Sequence, residues 1–402
     1  MFSEDAPSKL RSLKSRLGHG SFKFMPAEGV PVSKLDARGK KTGKFRPIVL
    51  APVESRIVQR AILNVLLEVP DLQPYIKTSY SFGGIRGERG SQANRKERSE
   101  SVSAVPAAIR AVLKEISGGA RFIASADIRA FFTRISKDAV TKIVSEAVKD
   151  EEMTLLFRDA IDVELSNMVQ LREKAIDFPI EEIGVAQGNS LSPLLGNIIL
   201  ADFDKIMNEG DCKCIRYIDD FIILAPSKKA AEARLRTAVK ILSDLGMELS
   251  PEKSSKGGVS IEEGFDFLGI NICRGAIRPS LKAQAKIVHS IQTAFDESLK
   301  AMRGVQNGQP FNRTYSLVST FKRVDGMIDG WGKHYWFCND KQVLDNIDQK
   351  ISKLIRNYLG EYANIRNGSP KDKHQTFLGI SELRTLPREP FEYPKLSKIA
   401  KF

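Results

Sequence analysis

Two hydrophobic periodicities divide this chain. Up to about residue 280 the apolar positions fall in short runs bounded by Gly, Pro, Asn and Asp, the signature of strands and turns mixed with helices. Cys212–Arg216 and Phe221–Leu224 are two such runs, and Arg121–Ala126 is a third that ends on Asp127. Asp36–Gly43 predicts a turn feeding a strand over Phe45–Leu50. Gly184–Asn197 predicts a glycine-containing loop entering a helix, with Pro193 in its first turn. After residue 280 the period becomes helical. Ile287, Ile291, Phe295 and Leu299 form one stripe; Leu317, Phe321, Val324, Ile328, Trp331 and Tyr335 a second; Val343, Ile347, Ile351, Leu354 and Tyr358 a third. Three amphipathic helices suit a bundle with its own core. The class expected is α/β (α+β).

Composition narrows the partners. With 402 residues, 42% of them hydrophobic, the chain can support two or three modules. A net charge of +13 favours a polyanion, and by itself suits an acidic membrane surface equally well. No apolar run reaches the length of a spanning helix and no signal-peptide pattern opens the chain, so the expected setting is cytoplasmic with no membrane. Lys9, Arg11, Lys14 and Arg16 lie in a short N-terminal helix pattern, and mixed charges crowd Arg86–Arg98. Cys212, Cys214, Cys273 and Cys338 are too scattered for a disulfide framework, and Cys212 and Cys214, on one side of a strand, are expected as small buried hydrophobes. Beyond residue 360 a proline-punctuated tail is expected, too short for a nuclease or RNase H domain.

The candidate chemistry centres on Tyr217-Ile218-Asp219-Asp220. Neighbouring strand residues face opposite ways, so adjacent carboxylates directed to one place require a turn. Paired hard cations bridging a triphosphate and a 3′-hydroxyl need such oxygen ligands and a further one from elsewhere, for which Asp127 is the candidate. The competing reading is turn formation or helix capping by the same aspartates.

Asp127 with the aromatics Phe131 and Phe132, the Gln187-Gly188-Asn189-Ser190-Leu191-Ser192-Pro193 loop and the Tyr217–Asp220 hairpin stand in the order and spacing of a reverse transcriptase palm. Lys44–Leu50, Glu54–Ile62, Leu245–Lys253 and Phe265–Ile270 are similar to the flanking motifs of group II intron-type enzymes. Ser79–Gly90 resembles another of these motifs but lacks its proline before Arg86. The resemblance covers about residues 40 to 360. It implies a right-hand polymerase with fingers and palm on an antiparallel sheet and an α-helical thumb. The domains expected are an N-terminal extension and fingers over 1–120, palm over 121–280, thumb over 281–360 and a tail over 361–402.

The roles that follow are those the resemblance implies. Asp127, Asp219 and Asp220 are the catalytic carboxylates, holding two Mg2+ ions (Mn2+ as substitute) with the main chain of Ile128. Arg46, Arg56, Ala130, Phe131, Phe132, Gln187, Gly188 and Lys253 surround the incoming dNTP. The arginines offer bidentate phosphate contacts, and Phe132 is a steric gate against a ribose 2′-hydroxyl. Tyr217, Arg86, Arg89, Trp331 and Lys333 are expected to touch nucleic acid. Partners are a structured non-coding RNA template and the cDNA product, and oligomerisation is compatible with the chain. A Val-Thr-Gly thumb segment of retron type is absent, and Ser192-Pro193 replaces the Ser-Gln of diversity-generating enzymes. The expectation is a stand-alone enzyme of group II-like ancestry in antiphage defence. The alternatives are an intron maturase and a template-independent polymerase of abortive-infection type.

Overall fold

In a computed structural model, the described residues are 5–35, 41–76, 78–84, 104–255, 257–381, 383 and 386–387. They divide into one compact unit ending at Ile277 and a second beginning at Arg278. The expected boundary at residue 120 is not a boundary between compact units.

The first unit opens with α1 (Ala6–Gly18), the basic helix anticipated from Lys9 to Arg16. The antiparallel hairpin β1 (Glu28–Leu35) and β2 (Lys41–Leu50) follows, then α2 (Val53–Leu66), α3 (Gln73–Ile76), β3 (Ser81–Phe82) and α4 (Ala104–Ser117). The strand expected at Phe45 begins four residues earlier, because Lys41 pairs with Leu35 beyond a register shift in the hairpin. Next come β4 (Phe122–Asp127), α5 (Lys137–Val148), α6 (Glu151–Ile161), α7 (Met168–Leu171), α8 (Ser192–Ile199) and α9 (Ala201–Met207). The unit continues through β5 (Lys213–Tyr217), β6 (Asp220–Ala225), α10 (Lys228–Asp244) and β7 (Val259–Ser260) to β8 (Phe265–Phe267), β9 (Ile270–Cys273) and β10 (Ala276–Pro279). Helix starts follow local chemistry: Ser136, Asp150 and Ser227 each accept a backbone N–H at the head of α5, α6 and α10.

The main sheet has the order β3-β5-β6-β4-β7, antiparallel except for β3 along β5. Phe221–Ala225 of the central strand β6 is wholly buried, which is why that run is continuously apolar rather than alternating. Cys212 and Cys214 lie in the same core as small hydrophobes, as expected. A separate three-stranded sheet, β10-β9-β8, closes this part of the chain.

The second unit is helical: α11 (Leu281–Gln306), α12 (Leu317–His334), α13 (Lys341–Asn367) and α14 (His374–Leu378). Ser280, Ser316 and Asp340 cap the three long helices. The three predicted stripes meet in one core, where the Phe295 and Tyr358 rings stack at 4.4 Å between centroids. That core runs past the expected limit at residue 360, because Tyr362, Ile365 and Phe377 are buried in it. Helical phase carried the stripe of α13 two further turns beyond Tyr358.

Candidate active site

Pairing of β4 with β6 sets Asp127 directly opposite Asp220, so both carboxylates leave the same face at one end of the sheet. Like charges directly opposite one another destabilise a sheet, so this pairing at the end of two inner strands is a cost to folding. Asp219 occupies the two-residue loop closed by Tyr217 and Asp220. Ile218, the first residue of that loop, has φ of +61°, a position usually taken by glycine. A β-branched residue held there stores about 1–3 kcal/mol of strain. The carbonyl of Asp219 accepts from the backbone N–H of Ile128 at 2.8 Å, which ties the hairpin tip to the end of β4.

Burial, then the Asp127 charge, raises the Asp219 pKa. Burial with Asp127 and Asp219 pushes Asp220 up to about 7. Cations oppose this: Lys253 and Arg46 both act to lower Asp219. Lys253 Nζ donates to Asp127 Oδ2 at 2.5 Å, across 126 residues of sequence. The loop that carries Lys253 is stitched along β4, with Ser250 N–H donating to the Asp127 carbonyl at 2.7 Å and Ser255 N–H to that of Ser125 at 2.8 Å.

Above this edge the β1–β2 hairpin presents Arg46, exposed, and opposite it Val32, with Lys34 two positions further along β1. The Lys34 ammonium is lowered by burial, then by Arg46 and Lys253, while Asp127 raises it. A third cation therefore faces the carboxylates, and sequence reasoning missed it because only the second strand of the hairpin was legible. Strand pairing of 28–35 with 41–50 was the signal that would have found it.

The Gln187-Gly188 loop joins the hairpin to the sheet. Val49 N–H donates to the Gln187 carbonyl at 2.9 Å, and Val185 N–H to the Phe132 carbonyl at 2.7 Å. Gly188, at φ of +117°, brings its backbone against Val49 O, where an added Cβ would stand at 2.9 Å. The close approach expected of this glycine is thus made to the protein's own backbone. Gln187 is half-buried beside it.

Ala130, at φ of +51°, turns the chain ahead of the two aromatics. Phe131 is buried against Gly196 of α8, where a Cβ would meet its ring at 2.8 Å. The Phe131 ring therefore belongs to the core. Phe132 is half-buried with its ring centroid 5.3 Å from that of Phe131. Tyr217 is half-buried, its ring against Gly83. Arg56 is exposed on α2, and no described contact joins it to the carboxylates. Arg86 and Arg89 lie outside the described residues. In the helical unit Trp331 packs on Tyr335 at 4.5 Å, and Lys333 is ion-paired with Asp329 at 2.6 Å rather than free.

Among the described residues no group of three or more His, Cys, Asp or Glu side chains is arranged to hold a metal ion. Asp127 is ion-paired with the Lys253 ammonium. The donor set nevertheless fits hard divalent cations: three clustered carboxylates, two of them pushed toward the neutral form by burial and mutual repulsion, are an imbalance that such charge relieves.

The site is thus a pair of opposed aspartates and a third in the adjoining turn, at one end of an antiparallel sheet, with Arg46, Lys34 and Lys253 near them. The family model for reverse transcriptase (RNA-dependent DNA polymerase) matches residues 38–272, and the chain belongs to that family. It is an RNA-directed DNA polymerase. The chain is similar to Protein YkfC of Escherichia coli strain K12, 25% identical over 308 residues, covering 66% of this chain and 71% of YkfC. It is also similar to the group II intron-encoded protein LtrA of Lactococcus lactis subsp. cremoris, 23% identical over 256 residues, covering 63% of this chain and 36% of LtrA. An apo telomerase structure from Candida tropicalis aligns with 64% of this chain and 55% of its own at 14% identity, with a TM-score of 0.40. No helix among the described residues is long and apolar enough to cross a membrane.

Proposed function

We propose that Asp127, Asp219 and Asp220 are the catalytic centre at which this chain joins deoxynucleotides on an RNA template. What supports the reading is the register that sets Asp127 against Asp220 with Asp219 in the intervening turn, all under cationic side chains. The three carboxylates, with the Ile128 carbonyl, would hold two Mg2+ ions, or Mn2+ in their place. Those ions supply the lowered pKa of the primer hydroxyl and the neutralisation of the departing pyrophosphate.

The remaining roles belong to the chain. Arg46, Lys34 and Arg56 clamp the triphosphate, and Lys253 exchanges Asp127 for the leaving phosphates when the nucleotide enters. Gln187 and the main chain at Ala130, Phe131 and Gly188 line the base and sugar, and Phe132 excludes a 2′-hydroxyl. Tyr217, Arg86, Arg89, Trp331 and Lys333 are the proposed nucleic-acid contacts, with the helical unit as thumb. Asp127→Ala, Asp219→Ala and Asp220→Ala are each expected to cut primer extension at least about a hundredfold while RNA binding persists. Near-normal extension by Asp127→Ala or Asp219→Ala, with Mg2+ or Mn2+ supplied, overturns the assignment.

At the cellular level we propose that the enzyme copies a dedicated structured RNA in antiphage defence, in the cytoplasm. The support is the resemblance to stand-alone enzymes of that kind. Co-expression of the gene and its flanking sequence should lower plaque counts, and Asp219→Ala should restore them. Protection that persists in the variant, or no discrete co-purifying RNA, sinks this role in favour of the intron-type one that the likeness to LtrA suggests.

A further inference from the structure

Among the described residues Arg216 is the largest fully buried side chain, a guanidinium with no access to solvent. Its guanidinium is divided between three partners. Nε donates to Asp204 Oδ1 at 2.7 Å, and Nη2 pairs with Asp204 Oδ2 and reaches Asn197 Oδ1 at 3.3 Å. Nη1 donates to the carbonyl of Ile218 at 2.9 Å. Asn197 is itself held by Ser81 Oγ at 3.1 Å, and the Arg216 backbone N–H donates to the Tyr80 carbonyl at 2.8 Å. Asp204 and Asn197 are buried on α9 and α8, so both anchors sit on helices of the core rather than on loops.

Ile218 is the residue held at φ of +61°, and its carbonyl shares a peptide plane with the N–H of Asp219. The next peptide plane is fixed as well, because the Asp219 carbonyl accepts from Ile128 N–H at 2.8 Å. Both peptides flanking Asp219 are therefore pinned, one by Arg216 and one by β4, and together they set the direction of its Cα–Cβ bond. A strained turn relaxes unless its surroundings over-determine it, and here the guanidinium fork does so. Stability alone does not explain the choice, since a buried ion pair is commonly no better than a well-packed apolar pair of similar volume.

We infer that Arg216 is a positioning residue for catalysis: backed by Asp204 and Asn197, it holds the Ile218 carbonyl and thereby aims the Asp219 carboxylate. The inference rests on the assignment of Asp219 to the catalytic centre. A lysine retains the charge but has a single donor centre, which cannot serve Asp204 and Ile218 in the same fork geometry.

The test uses the full-length protein, with an oligo(dT) primer on a poly(rA) template, dTTP and Mg2+. The charge-free pair Arg216→Met with Asp204→Leu is expected to melt within a few degrees of the parent and to bind template-primer normally. Its kcat should fall about 10–100-fold, with KM for dTTP little changed and a higher Mg2+ concentration for half-maximal rate. Arg216→Lys should show the same split. Adding Ile218→Gly to it should restore part of kcat, because glycine takes the positive φ without a clamp. A folded double variant with parental kcat and Mg2+ requirement reduces Arg216 to a structural role and overturns the inference. If the double variant does not fold, parental kcat in Arg216→Lys overturns it equally. Full activity in Asp219→Ala would instead remove the underlying site assignment, so the two failures are separable.

Discussion

A few carboxyl oxygens and the groups that crowd them account for most of what this enzyme is expected to do. Burial and the neighbouring Asp127 and Asp219 charges hold the Asp220 carboxyl up to about 7, against an ordinary value of 3.8, and Asp219 shifts the same way. The folded, metal-free protein thus keeps protons that the unfolded chain has released. The contribution of this pair to stability should fall as pH rises from about 4 to about 7, so Asp220→Asn should gain stability relative to the parent across that range. Melting curves of both proteins in chelator provide the check, and a parent-to-variant difference that does not change with pH contradicts the raised Asp220 pKa. Phe132 offers a separate measurement. Phe132→Val or Phe132→Ala should raise ribonucleotide use relative to deoxynucleotide use, read as the ratio of kcat/KM values. An unchanged ratio in a folded variant would leave the ring a packing role only. Phe131 is buried in the core and Phe132 is packed, half-buried, against it, after a turn at Ala130 whose positive φ no composition argument anticipates.

Between elements, the decisive joint is the Gln187-Gly188 loop, which hydrogen-bonds β2 on one side and the turn after β4 on the other. Arg46 sits on β2, so this loop sets the distance between the cationic hairpin and the carboxylates. Gly188→Ala places a methyl 2.9 Å from the Val49 carbonyl at a φ of +117°. The expected cost is about 1–3 kcal/mol of stability, with a raised KM for dNTP as β2 is displaced. A thermal midpoint and KM both equal to the parent's would show that the joint is slack. Sequence reasoning located this loop and its Pro193-led helix but assigned the close approach to the nucleotide, since nothing local reveals that β2 lies beneath it.

For the whole molecule the governing quantity is a net charge of +13 on 402 residues. Binding to RNA should release counterions, giving a linear log–log loss of affinity with salt. If six or more phosphates are engaged, the loss is on the order of 10³-fold between 50 and 200 mM. A flat salt dependence would put the basic surface to another use. The chain's division at residue 277 separates a sheet-based unit from a helical one. The helices of the second unit were legible from their apolar stripes, because period reports directly on element type.

By itself the sequence determined the strand runs around the Tyr217–Asp220 turn, the helical stripes after residue 280 and the order of the motifs, and it nominated the three carboxylates. Each of these is encoded locally, in alternation, in helical stripes or in short runs such as Tyr217–Asp220. Tertiary structure alone decided the partners. It paired Asp127 with Asp220 through strand register, brought Lys253 to Asp127 across 126 residues, raised Lys34 beside Arg46 and buried Arg216 under the Ile218 carbonyl. The physical reason is that hydrophobic pattern states which face of an element is buried but not against what. Register and packing between distant segments select the partner, and a polar group inside the core is intelligible only once that partner is known.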